Sequence, residues 1–214
     1  MKQLSSILYS VTGKGFSMPA FIIEKNEKEL ILIDSGLKKD AHAMIRKIES
    51  KWGSLDKIST IIFTHRHADH TGGLPVFLDK INFKKIVLIA HQDEEPLFNE
   101  LFKAKGISIT KSVKHNEIID KKIKLRAIHT PGHTFGHLCL LLEEEKLLLI
   151  GDLIMDIFGK LFPVFKKAHD DFQLWEKNLA TILDYDWNYA IPSHMSVKKI
   201  SREKIEEFIL KRTK

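Results

Sequence analysis

Short runs of Ile, Leu and Val recur along the chain, bounded by polar residues: Ala20-Phe-Ile-Ile-Glu24, Leu30-Ile-Leu-Ile-Asp34, Ile58-Ser-Thr-Ile-Ile-Phe63 and Lys85-Ile-Val-Leu-Ile-Ala90. Runs of this length and β-branched content predict strands. Four more follow, at Ile123–Ile128, Leu138–Leu142, Leu147–Ile150 and Tyr189–Ile191. Glu143-Glu-Glu-Lys146 separates two of them and reads as a solvated hairpin turn. Between the strands the period changes. Ala41, Met44, Ile45, Ile48 and Trp52 fall three and four residues apart, predicting a helix over Asp40–Trp52. The same period predicts helices over Asp93–Lys103, Asp170–Leu183 and Ser201–Leu210, the last with Ser201 as N-cap. Strand groups alternating with single helices imply two packed sheets with helices on their outer faces, in one domain over 1–214.

Composition narrows this picture. With 214 residues and 43% hydrophobic content, the chain can bury a sizeable core. The net charge of +6 comes from lysines scattered along the chain, without the clustered Arg and aromatics of a nucleic-acid groove, so no nucleic-acid partner is expected. No segment approaches the roughly 20 apolar residues of a membrane span, and the N-terminal stretch lacks a signal peptide's long apolar region. The lone Cys139 sits in an apolar run and reads as inert core. These features predict a cytoplasmic protein with no membrane partner; they leave the oligomeric state open.

The chemistry is concentrated in Thr64-His-Arg-His-Ala-Asp-His-Thr-Gly-Gly73, which follows a strand and gathers His65, His67, Asp69 and His70. Such a density of imidazole and carboxylate points to a metal site. Three further residues stand just past apolar strands: His133 in Thr130-Pro-Gly-His-Thr-Phe-Gly-His137, Asp152 after Leu147-Leu-Leu-Ile-Gly151, and His194 in Ala190-Ile-Pro-Ser-His194.

This set resembles the HxHxDH…H…D…H pattern of metallo-β-lactamase-fold hydrolases, with gaps of 63, 19 and 42 residues after His70. The resemblance spans nearly the whole chain and implies an αββα sandwich of two mixed β-sheets flanked by helices. It also implies two divalent ions, zinc foremost with Fe(II) and Mn(II) compatible with the same ligands. His65, His67 and His133 would hold one; Asp69, His70 and His194 would hold the other, with Asp152 between them. A hydroxide bridging the ions would attack a small-molecule substrate, with Asp69 orienting it and relaying its proton. Asp34-Ser35-Gly36 is similar to the family's Asp-Thr-Gly motif, which implies that Asp34 supports the ligand loop. Thr64 and Thr134 are expected to cap loop backbone, and His137 to pack structurally.

Two segments are expected to surround the site: the glycine-rich Thr12–Met18, with Phe16 and Met18 toward substrate, and Met155–Phe165, with Phe158 and Phe162 lining an apolar pocket. Departures from known branches narrow the substrate. Met155 stands where class B β-lactamases often carry Lys and quorum-signal lactonases Tyr, and only 20 residues follow His194, too few for the glutathione-binding domain of glyoxalase II. The expected function is therefore hydrolysis of a small ester, thioester or lactone. A mononuclear iron dioxygenase and a phosphodiesterase or nuclease of the same fold are the alternatives.

Overall fold

A computed structural model describes residues 1–12, 19–82, 85–194 and 197–212. The described chain gathers into two compact units, residues 1–90 with 95–112, and 91–94 with 113–214.

The first unit is built on a mixed seven-stranded sheet in sequential order. Its strands are β1 (Lys2–Gln3), β2 (Leu8–Val11), β3 (Ala20–Asn26), β4 (Glu29–Ile33), β5 (Ile58–Ile62), β6 (Val87–His91) and β7 (Lys111–Val113). β2, β3 and β4 form an antiparallel meander, whereas β4, β5 and β6 run parallel. Parallel neighbours require crossovers, and helix α1 (Lys38–Trp52) supplies the first. It buries Ala41, Met44, Ile45, Ile48 and Trp52, the stripe its sequence period predicts, and stops at Gly53 (φ 85°), whose N–H bonds the Glu49 carbonyl. The second crossover carries the short helices α2 (Ala68–Thr71) and α3 (Leu74–Leu78), and α4 (Glu95–Phe102) follows β6. Ile22, Leu32, Met44, Ile61, Phe63, Phe77 and Phe98 are among the core residues of this unit.

The second unit holds a mixed six-stranded sheet in the order β15-β14-β11-β10-β9-β8. Its strands are β8 (Ile118–Asp120), β9 (Leu125–His129), β10 (Leu138–Leu142), β11 (Leu147–Leu149), β14 (Tyr189–Ile191) and β15 (Ile200–Ser201). β12 (Met155–Ile157) and β13 (Lys160–Phe162) pair as a separate antiparallel hairpin. Helices α5 (Phe172–Asn178) and α6 (Arg202–Leu210) complete the unit. Its core centres on Trp175 and Trp187, whose indole N–H groups donate to the carbonyls of Leu153 (2.9 Å) and Ile182 (2.7 Å).

The strands and helices expected from periodicity are present, with three differences. The helix expected over Asp170–Leu183 is α-helical only to Asn178 and tightens to a 3-10 form over Leu179–Asp184. Ser201 stands at the N-cap of α6, but its hydroxyl makes no capping bond to the helix backbone. Met155–Phe165, for which periodicity predicts no strand because it lacks the strict alternation of a half-buried one, contains the β12–β13 hairpin.

Candidate metal centre

Each unit places its ligand-type residues where strands end. In the first unit, the parallel strands β4 and β5 finish side by side, with the Asp34 N–H bonded to the Ile62 carbonyl (2.8 Å). Chain reversal at Asp34 (φ 56°) and Gly36 (φ 66°) then brings this corner under the loop that follows β5. Ser35 binds the His70 carbonyl through both its N–H (2.6 Å) and its hydroxyl (3.0 Å), and the Gly73 N–H donates to the Gly36 carbonyl (2.9 Å). A Cβ on Gly73 would lie 2.2 Å from the Ser35 oxygen, so this approach requires glycine.

The result is a set of oriented imidazoles. The fully buried Asp34 carboxylate accepts the Thr64 N–H (2.8 Å), the Thr64 hydroxyl (2.8 Å) and the His70 Nδ1–H (2.7 Å). Because the single Thr64 hydroxyl proton goes to Asp34, its oxygen faces His65 Nδ1 (3.1 Å) as an acceptor. Both histidines thereby carry the proton on Nδ1 and keep an Nε2 lone pair. The His65 ring lies 4.0 Å from the His70 ring and 4.8 Å from the His67 ring, centre to centre. Thr71 fastens the turn through its hydroxyl, which donates to the Arg66 and His67 carbonyls (both 3.1 Å). Asp69, one residue into α2, keeps a part-exposed carboxylate whose Oδ2 is 4.0 Å from His70 Nε2.

In the second unit, parallel pairing of β11 with β14 does the equivalent work. The Ile150 N–H bonds the Ile191 carbonyl (3.0 Å) and the Ser193 N–H bonds the Gly151 carbonyl (3.1 Å), which carries the pairing past the strand ends. Asp152 and His194 therefore emerge together, with His194 Nε2 2.7 Å and His133 Nε2 3.3 Å from the same Asp152 oxygen. Two imidazoles and a carboxylate converging through one oxygen make a nitrogen–oxygen donor set suited to a borderline divalent cation.

His137 has a sharper role than packing. Its Nε2 accepts the Asp152 backbone N–H (3.0 Å), which fixes the neutral tautomer, and its Nδ1–H points to the Thr130 hydroxyl (2.8 Å). His169, a residue with no motif around it, stacks edge-on to His133 at 5.1 Å between centres and packs on Trp175. Only a backbone match puts it there: the Asp170 N–H donates to the His133 carbonyl and the Asp171 N–H to that of Gly132 (both 3.0 Å). Thr64 differs from its expected role: its hydroxyl bonds the side chains of Asp34 and His65 instead of capping loop backbone. Thr134 contributes through its carbonyl, which accepts the N–H groups of Gly132 (2.9 Å) and His137 (3.3 Å). Cys139 is fully buried, and burial pushes its thiol up to about 12, as an inert core residue requires.

Of the residues expected around substrate, Phe16 and Met18 lie outside the described residues. Phe158 and Phe162 are both exposed on the β12–β13 hairpin. A further cluster, His91, Asp93 and His129, belongs to the second unit. Its two rings stack face to face (3.7 Å, 16°), His91 Nδ1 accepts the Asp93 N–H (3.2 Å) and His129 Nε2 donates to the Phe135 carbonyl (2.7 Å), so these nitrogens are engaged with backbone.

Comparison with known proteins agrees with this architecture. The chain is 31% identical over 186 residues to a beta-lactamase-like protein 2 homolog of Caenorhabditis elegans, covering 86% of this chain and 58% of that one. It is 29% identical over 172 residues to an atrochrysone carboxyl ACP thioesterase of Aspergillus chevalieri, covering 78% and 48%. It thus spans about half the length of the curated relatives it matches. An archaeal metallo-beta-lactamase superfamily protein from Sulfolobus tokodaii superposes with a TM-score of 0.69 at 22% identity, over 97% of this chain and 86% of that one, which shows a shared fold. The family model of the metallo-beta-lactamase superfamily matches residues 15–194, and with that match across most of its length the chain belongs to this superfamily.

Proposed function

We propose that the chain is a metal-dependent hydrolase of a small ester, thioester or lactone. Two divalent cations, zinc first, would be held by His65, His67, Asp69, His70, His133, Asp152 and His194. The observation that carries this reading is the donor set around Asp152. A nearly buried carboxylate oxygen faces two imidazole Nε2 atoms at 2.7 and 3.3 Å, while His137 holds its backbone in place. Lone pairs fixed on His65 and His70 by Thr64 and Asp34 supply matching donors. Second contacts of this kind are what metal-ligating histidines need.

Ions in such a site lower the pKa of water from about 15.7 to near 7 and polarise an acyl oxygen. The protein's own part is orientation and proton transfer. Asp34 and Thr64 hold His65 and His70 in one tautomer, and His137 fixes the main chain at Asp152. Asp69 has its side chain 30% exposed, the most accessible carboxylate among the proposed ligands, so it can take a proton from the attacking water and pass it to the leaving group. Similarity to a protein named as an acyl-carrier thioesterase supports acyl transfer to water as the reaction class.

The test is a hydrolysis panel of lactones, thioesters, phosphodiesters and β-lactams on zinc-, manganese- and iron-loaded protein, with His67→Ala as control. Turnover of an acyl substrate that vanishes in the control is the expected result. One tightly held iron with oxygen consumption, or cleavage of phosphodiesters alone, would overturn the reading.

A further inference from the structure

We propose that the β12–β13 hairpin and the segment after it form a peripheral attachment surface for an anionic lipid bilayer. The two strands are joined by Phe158-Gly159, with φ values of 50° and 87°. A two-residue loop with both φ angles positive favours Asn-Gly, and an aromatic residue in its first position is disfavoured by the backbone. The ring is also 94% exposed, so water disfavours it as well. Phe165 (77% exposed) and Phe162 (40%) extend the apolar surface along the same stretch of chain.

The projection is built into the fold. Asp156, fully buried at the hairpin's base, accepts the Gly159 N–H (2.6 Å) and faces Lys198 Nζ (3.5 Å), while Lys204 Nζ donates to the Gly159 carbonyl. With both sides of the tip held, the Phe158 ring stays outward.

Charge selects the occupant. Between Leu153 and Ala168 the only carboxylate is the buried Asp156, whereas Lys160, Lys166 and Lys167 are exposed, and Lys198 and Lys204 reach the hairpin. The nearest following acids, Asp170 and Asp171, are exposed carboxylates, but each is tied to backbone away from the hairpin, Asp170 accepting the Phe135 N–H and Asp171 capping α5. Glu203, beside Lys204, and Glu207, one helical turn further and paired with Lys211, are the exposed acids near these lysines on α6. A convex aromatic tip needs a matching hollow in a rigid partner but only a soft interface in a bilayer, and each lysine near an anionic surface raises partitioning by roughly fivefold. Among the described residues no helix is long and apolar enough to cross a membrane, so the attachment is peripheral. Absence of a spanning segment, the ground for expecting no membrane partner, does not bear on contact of this kind.

The experiment is co-sedimentation of the whole chain with vesicles of phosphatidylcholine containing about one-third phosphatidylglycerol, against phosphatidylcholine alone. Salt-sensitive binding to the anionic vesicles is expected. Phe158→Ser should weaken it at least about tenfold, and Lys166→Glu with Lys167→Glu should weaken it and flatten its salt dependence. All three side chains are exposed, so thermal stability should not change. Phe158→Trp should bind as the parent does and shift its emission to the blue on the vesicles. Failure of the parent to bind at low salt, equal binding by Phe158→Ser, or an unshifted tryptophan would each overturn the proposal. So would a self-associated form that Phe158→Ser dissolves while vesicle binding persists, which would give the patch to a second copy of the chain.

Discussion

Asp34 Oδ2 lies 2.7 Å from His70 Nδ1, with both side chains withdrawn from solvent. One carboxylate thus sets the tautomer of His70 directly and that of His65 through Thr64. Asp34→Ala removes all three acceptor contacts and leaves buried donors unsatisfied. Metal affinity, read by cobalt titration, should fall roughly 10- to 100-fold. Stability in urea should fall by about 3 kcal/mol. Unchanged affinity would show that the tautomer is fixed by other means.

His137 supports the second unit's donor set through the main chain, since its Nε2 accepts the Asp152 N–H. His137→Leu strands a buried N–H and should cost about 1–3 kcal/mol. His137→Gln, with a side-chain oxygen as replacement acceptor, should recover part of both stability and cobalt affinity. Identical losses in the two variants would point to ring packing instead of this hydrogen bond.

Asp69 is the proposed proton carrier, and its partial exposure separates function from folding. Asp69→Asn should lower turnover by about 100-fold or more while the melting temperature stays near that of the parent. Metal content, measured by emission spectrometry, should be retained in part. Turnover equal to the parent's would remove Asp69 from the mechanism.

Gly132 holds the loop of His133 against α5 with φ 129°, and a Cβ there would stand 2.1 Å from the Trp175 nitrogen. No side-chain rotation relieves a clash with backbone. Gly132→Ala should give little soluble protein, or lose more than about 4 kcal/mol in urea. A normal unfolding midpoint would mean that the two segments can separate without cost.

Stability should fall on acidification. Burial, then the neighbouring His129 ring, holds His91 down to about 4, and burial lowers His129 as well. Folded-state values below the unfolded value of about 6.5 mean that the unfolded chain takes up more protons in this window. The stabilisation is complete above about 6.5 and is lost as the pH falls toward 4. His91→Phe, which keeps a ring against His129, should flatten the dependence of the urea midpoint between these limits. Parallel curves for parent and variant would assign the acid sensitivity elsewhere.

Hydrophobic periodicity placed the principal strands and α1 because burial of one face is written at local spacing: Met44, Ile45 and Ile48 fall on the core side of α1 wherever that helix docks. Donor chemistry was equally local, since His65, His67, Asp69 and His70 fall within six residues and His133, Asp152 and His194 each follow an apolar run. Strand register decided what stands behind those donors. Asp34 reaches His70 across 36 residues because β4 and β5 end in parallel, and His169 reaches His133 because two backbone hydrogen bonds align their loops. Solvent exposure of Phe158 was likewise decided by tertiary structure: the buried Asp156 and the lysines from beyond His194 that hold the hairpin tip come together only on folding. Residue type and spacing specify what a side chain can bond or bury. Which partner it finds depends on long-range pairing that no short stretch of sequence encodes.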